Sequence, residues 1–187
     1  MVTVINDLLD FSQIQQGKLI LTKQAVNLHD LLTNTHQTLA PKAAQSGLSY
    51  PLTLTPSLPT WVLIDPHRLA QIILNLLGNA LKFTTQGYVR MQASFETAHA
   101  QSAHGTLIIC VEDSGKGIPS NHLEDIFEPF VQIKANDNRH TDNALHGNGL
   151  GLAITRSLVK SHQGSIQVQS TLGEGSRFTV RLPIEVA

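Results

Sequence analysis

Asn75, Asn79 and Lys82 stand at helical spacing, and two glycine-rich stretches follow them, Asp113-Ser114-Gly115-Lys116-Gly117 and Gly147-Asn148-Gly149-Leu150-Gly151. In this order they supply what a magnesium-bound nucleotide needs. Amide oxygens are hard donors for Mg²⁺, which keeps several waters and shares its other positions with phosphate oxygens. Lys82, one turn beyond Asn79, brings an ammonium near those phosphates. Asp113 follows an apolar strand, and a carboxylate there accepts a hydrogen bond from an exocyclic amine. Adenine offers that amine at its six-position, where guanine presents a repelling oxygen. Gly147, Gly149 and Gly151 precede a helix, so backbone N–H groups are open to an anion. Each feature alone is common: amphipathic helices carry solvated polar stripes, and Asp and Gly end strands. The Gly-x-Gly-x-Gly spacing lacks the strand directly before it that a dinucleotide fold requires, and no Gly-x-x-x-x-Gly-Lys-Ser/Thr loop is present. The weight rests on the ordered set.

The polar residues need a helix to hold them. Asp65-Pro66 predicts a helix start with a cap and a first-position proline, running to about Phe83. At ~100° per residue, Arg68, Gln71, Asn75, Asn79 and Lys82 fall on one narrow stripe, beside an apolar face of Ile73, Leu76, Leu77 and Ala80. Asparagine is a mediocre helix former, so two on one stripe argue for a task beyond solvation. Residues 1–16 carry apolar residues at three- and four-residue spacing (Val4, Ile5, Leu8, Leu9, Phe11, Ile14) and read as a helix ended by Gly17. It starts without a cap and is expected to be the tail of a longer helix, with a second copy of itself as one candidate partner. Asn27 caps an expected helix to about Ser46. Short strands are expected at 50–54 and 61–64, and longer ones at 88–95, 106–112, 166–169 and 177–182, with a polar hairpin loop over 97–105. A last helix spans about Leu150 to His162. Alternation in three of the strands predicts a sheet covered on one face by helices and wet on the other. The fold class is α+β, a two-layer sandwich. Ile126-Phe127-Glu128-Pro129-Phe130 reads as a hinge for a polar, aperiodic lid over about 131–146, from which Lys134 and Arg139 reach toward phosphates.

Composition sets the limits. The 187 residues suit one domain with an appended segment, and 41% apolar with 14% charged residues is the balance of a globular protein. Thirteen basic and fourteen acidic residues give a net charge of −1, too weak a field to recruit nucleic acid or an anionic membrane. No apolar run approaches the ~20 residues that span a bilayer. The single cysteine, Cys110, lies in an apolar run and is expected as a buried, inert thiol in a reducing, cytoplasmic setting.

These motifs closely resemble the catalytic and ATP-binding domain of sensor histidine kinases of the Bergerat ATPase superfamily. Leu74-Asn75-Leu76-Leu77-Gly78-Asn79-Ala80-Leu81-Lys82-Phe83-Thr84 resembles the N box of that family. Val111-Glu112-Asp113-Ser114-Gly115-Lys116-Gly117-Ile118 resembles its first glycine box, and Phe127-Glu128-Pro129-Phe130 its F box. Gly147 to Leu152 is similar to the second glycine box, and Gly173-Glu174-Gly175-Ser176-Arg177-Phe178 to the closing glycine turn. Upstream, residues 5–14 resemble the end of the second helix of a dimerisation and phosphoacceptor domain of hybrid kinases, which divides the chain at 1–17 and 18–187.

The resemblance implies a Bergerat fold with a mixed, mostly antiparallel sheet, and ATP and Mg²⁺ as ligands. Asn79 would ligate Mg²⁺. Asn75 and Lys82 would contact phosphates and carry the catalytic role. Phe83 would line the pocket, and Asp113 would bind the adenine amine beside Gly115 and Gly117. Ile118, Phe127, Phe130 and Leu150 would belong to the ATP site, Ser176 would stand near the base, and Gly147, Gly149 and Gly151 would cradle phosphates. The implied reaction passes the γ-phosphoryl to a histidine on the phosphoacceptor helices of a homodimeric parent, for relay to a response regulator or receiver domain. None of the nine histidines of this chain sits in a phosphoacceptor-like context; His67 and His146, nearest the motifs, read as incidental. The acceptor is expected outside the chain. Two alternatives are a non-catalytic ATP-sensing module and an ATPase clamp like those of gyrase and chaperones. The clamps place a glutamate where this chain has Asn75, and an amide is no general base at neutral pH.

Overall fold

The computed structural model describes residues 2–17, 19–97, 103–131 and 149–187. One sheet organises them. Its strands are β1 (Gln24–Asn27), β2 (Leu52–Leu54), β3 (Trp61–Ile64), β4 (Val89–Glu96), β5 (His104–Asp113), β6 (Ser165–Thr171) and β7 (Gly175–Val186). They lie in the order β1-β3-β7-β5-β4-β2, with β6 also paired to β7. All pairings are antiparallel except that of β2 with β4, which is parallel. The mixed, mostly antiparallel sheet is as expected.

Period-two patterning sets which face is buried. Val89, Met91 and Ala93 of β4, Leu107, Ile109 and Val111 of β5, and Phe178, Val180, Leu182 and Ile184 of β7 all point into the core. Their helical cover comes from α2 (Leu28–Gln37), α4 (Pro66–Phe83) and α5 (Gly151–Ser161). The other face is polar. There Arg90, Glu112 and Arg177 are cross-strand neighbours in one row. Glu112 accepts from both guanidiniums and from the Tyr88 hydroxyl at 2.7 Å.

α4 forms where its sequence predicts. The Asp65 carboxylate accepts from the His67 and Arg68 N–H groups, each at 3.1 Å, and Pro66 occupies the first helical position. Its apolar face buries Leu69, Ile72, Ile73, Leu76, Leu77, Ala80 and Leu81. Each leucine or isoleucine among them contributes about 1.5–3 kcal/mol on burial. This sets the height and rotation of the polar stripe on the helix.

Four expectations need correction. The helix expected from Asn27 to Ser46 is two, α2 and a short α3 (Ala40–Gln45), because Pro41 cannot continue the preceding ladder. Strand β1 was not foreseen; four residues are too few to show a period. β5 begins at His104, inside the stretch expected as hairpin loop, of which 98–102 lie outside the described residues. Cys110 is only half-buried, on the polar face of the sheet. Burial still pushes its thiol above the ordinary range, as expected of an inert cysteine.

α1 (Val2–Gln15) packs on the rest through Phe11 and Ile14, against α5. Asp10 receives Arg68 at 2.9 Å and Gln71 at 2.8 Å, so two residues of the α4 stripe hold a neighbouring helix.

Candidate functional site

The end of β5 and the end of α4 meet at Asp113. Val89 and Ser176 flank Asp113 across the sheet, and its side chain shares the core face with Val111. It is only 6% exposed. The Gly115 N–H donates to its carboxylate at 2.9 Å. Burial pushes this carboxyl above the ordinary range, while the Gly115 and Ser176 backbones and the Thr84 hydroxyl pull the other way. An ionised carboxylate only accepts hydrogen bonds, and a buried one is the kind of acceptor that an exocyclic amine requires.

The glycines beside it are structural necessities. A Cβ at Gly115 would collide with the Phe83 carbonyl, which accepts from the Lys116 N–H at 3.3 Å. Gly117 has φ +68°, and a Cβ there would strike the Thr171 carbonyl. The loop is thereby wedged between the end of α4 and the β6–β7 turn. The Ser170 hydroxyl accepts from the Ile118 N–H at 2.8 Å and meets Ser176 Oγ at 3.0 Å, so Ile118 and Ser176 belong to one hydrogen-bonded corner.

Phe83 closes α4 and is 40% exposed. Two ammoniums stand over its ring, Lys82 Nζ at 4.9 Å and Lys116 Nζ at 4.5 Å from the centroid. Burial, then Lys116 and Lys42, lower the Lys82 pKa. One turn back, the Asn79 side chain makes no hydrogen bond to any other described residue. One further turn back, Asn75 Nδ2 donates to the Gly151 carbonyl at 3.2 Å and to Thr155 Oγ1 at 3.3 Å. Asn75 thus ties α4 to the start of α5, a partnership that its spacing did not reveal.

At the far end, Leu150 is fully buried before α5. Gly149 has φ +70°, and its carbonyl accepts from the Phe130 N–H at 3.0 Å. A Cβ at Gly149 would stand 2.9 Å from Phe130 Cα, whereas one at Gly151 would have ordinary room beside Asn75. Phe127 is a core residue, edge-on to Phe178 at 6.3 Å. Phe130 is exposed and edge-on to Phe11 at 6.1 Å. Gly147, Lys134, Arg139, His146 and the expected lid beyond Val131 lie outside the described residues.

The described residues are thus strung along α4. Asp113, Gly115, Gly117, Ser176 and Phe83 stand at one end, Asn75, Leu150 and Gly151 at the other, with Asn79 and Lys82 between. Thr84 and Thr155 are added by the structure. Thr84 sits inside the quoted motif, but its contact depends on how the sheet meets the helix. A separate cleft of about 610 Å³ runs along β6, lined by residues that include Glu128 and Arg156. These two pair at 2.9 Å, and the cleft has no member of the Asp113 set.

A family model described as histidine kinase-, DNA gyrase B-, and HSP90-like ATPase matches residues 64–186. The chain is 40% identical, over 99% of its length, to 21% of the autoinducer 2 sensor kinase/phosphatase LuxQ of Vibrio vulnificus. It is 38% identical, over its whole length, to 20% of the sensor protein GacS of Pseudomonas syringae. It therefore spans about a fifth of these curated relatives. A crystal structure of full-length ShkA in complex with AMPPNP superposes with TM-score 0.81 at 31% identity, over 99% of this chain and 36% of that one. The histidine kinase AdeS of Acinetobacter baumannii shares the fold, with TM-score 0.73 at 23% identity over 97% of this chain and 77% of that one.

Proposed function

From the premise that this chain belongs to the histidine kinase-, DNA gyrase B- and HSP90-like ATPase family, we propose that it is the ATP-binding catalytic domain of a hybrid-type sensor histidine kinase. It takes ATP and passes the γ-phosphoryl to a histidine outside residues 1–187. The observation that carries this reading is Asp113, a buried carboxylate at the end of β5 beside the end of the helix that carries Asn79 and Lys82.

In this reading Asp113 accepts the six-amino group of adenine, and the Gly115–Gly117 loop forms the wall beside the base. Ile118, Ser176 and Phe83 complete the base end, with Lys82 on the phosphates. Leu150, Gly149 and Gly151 stand at the phosphate end beside Asn75, with Gly147 completing the motif. Phe127 and Phe130 contribute through packing beneath and beside the site.

The donor set fits a magnesium ion shared with nucleotide. The Asn79 amide oxygen is uncommitted, and no cluster of three or more His, Cys, Asp or Glu competes for a cation among the described residues. The ion would neutralise charge on the phosphates, as phosphoryl transfer requires. The acceptor helices belong to the parent protein, with α1 as the end of the second helix and residues 18–187 as the catalytic unit. A homodimeric parent, a receiver domain or response regulator as next acceptor, and a cytoplasmic setting follow from the same reading. Among the described residues no helix is long and apolar enough to cross a membrane.

The ATPase-clamp alternative is disfavoured by Asn75, an amide whose nitrogen is spent on α5. It cannot take a proton from water, so ATP alone should turn over slowly. Calorimetry with ATP and GTP, with and without Mg²⁺, tests the proposal. Binding of ATP with GTP at least about tenfold weaker is expected for one lost and one opposed hydrogen bond. Equal affinity for the two bases would refute the assignment of Asp113. Phosphoryl transfer to added acceptor helices separates the kinase from a sensing module.

A further inference from the structure

The Lys116 side chain has no role in the assignment above, yet its backbone is held at both ends. Its N–H donates to the Phe83 carbonyl at 3.3 Å, and its carbonyl accepts from the Gly173 N–H at 2.8 Å. Gly115 and Gly117 on either side allow this close approach, since a Cβ at either would meet backbone. The loop is therefore pinned to the end of α4 and to the β6–β7 turn, and Lys116 rises from it over the Phe83 ring.

The result is two ammoniums over one ring. Lys116 Nζ lies 4.5 Å and Lys82 Nζ 4.9 Å from the Phe83 centroid. Neither forms an ion pair or a hydrogen bond with another described residue. By contrast, Arg90 and Arg177 are both neutralised by Glu112 on the open face of the sheet. Cation–π attraction to a half-exposed phenyl is weak and offsets only part of the repulsion between two like charges. Two uncompensated cations over one ring are an anion-binding arrangement, and Lys42 adds a third positive charge to their field.

We infer that Lys116 is a second phosphate-holding residue, which with Lys82 over the same Phe83 ring holds the phosphate chain of the bound nucleotide. This rests on reading the Asp113 set as an adenine-nucleotide site. The partner chemistry is a polyphosphate attached to a nucleoside. A single phosphate neutralises the pair poorly, whereas a di- or triphosphate carries enough charge to engage both ammoniums.

The test is calorimetry of the whole chain with adenosine, ADP, ATP and pyrophosphate at low ionic strength, for wild type, K116M and K116R. Adenosine serves as the control for folding and for the base end of the site. K116M should bind adenosine as wild type does but lose about five- to tenfold in ADP and ATP affinity. Its salt dependence for ATP should be shallower, and K116R should restore most of the affinity. Binding of ATP by K116M at wild-type strength overturns the inference. An equal loss for adenosine and ATP also overturns it, by assigning Lys116 to the base wall. Pyrophosphate binding that falls in K116M while ATP binding does not would overturn it too, by making the pair a separate anion site. A wild-type chain that binds neither adenosine nor ATP overturns the site assignment itself, and this inference with it.

Discussion

In the proposed role Asp113 is under opposed demands, and its protonation decides whether it can accept an amine. Accepting an amine proton requires the ionised form, while burial holds its pKa above the ordinary carboxylate range. Acidification should therefore weaken adenosine binding at a higher pH than an exposed aspartate would allow, as the carboxylate takes up its proton. D113N should bind adenosine about tenfold more weakly at neutral pH and lose this pH dependence. Calorimetric titration across the acid range with adenosine, which carries no phosphate to titrate, makes the comparison. The position of Asp113 was legible because its place at a strand end follows from the apolar run before it. Lys116 was not, although it lies in the same motif. Its importance comes from the missing Cβ atoms on both sides, and what they approach is visible only in three dimensions. Asn75 fell between these cases: its helix face was legible, its bond to Gly151 was not.

Cross-strand rows and helix contacts act at the scale of elements. On the open face of the sheet, burial of Glu112 raises its pKa, but Arg90, Tyr88 and Arg177 outweigh that and hold it down at about 2. A lowered folded-state value means stability that is present above the ordinary value near 4.5 and lost as pH falls toward 2. With both arginines partly exposed, screening leaves on the order of 1–3 kcal/mol. Denaturant unfolding should show E112Q less stable by that amount at neutral pH and flatter than wild type between these pH values. The contact of α1 with α4 is a second element-scale device. D10A removes the acceptor of Arg68 and Gln71 and should cost about 1 kcal/mol locally. Faster amide exchange in residues 2–15, with residues 66–83 unchanged, would report it. Most elements could be read from the sequence: α4 from its cap and periodicity, β4 and β7 from alternation. β1 is too short to show a period, and the Asp10 clamp joins residues 58 and 61 positions apart, which no local pattern encodes.

For the whole molecule the sheet order matters more than any one strand. β7 pairs β5 and β6, and reaches β3 through Val186 and Glu185. It also supplies Ser176 opposite Asp113 and the buried row from Phe178 to Ile184. Removing residues 175–187 should leave β3 and β5 with bare edges, and such a chain should aggregate instead of unfolding reversibly. Size-exclusion chromatography at increasing concentration would reveal it. Translation runs from the amino end, so this central strand is the last of the described strands to leave the ribosome. Until it emerges, β1 with β3 and β2 with β4 and β5 are two half-sheets without a seam, and the base-binding corner has one wall. In the proposed reading, nucleotide can be held only once β7 has joined β5, which makes occupancy of the site a report on closure of the sheet.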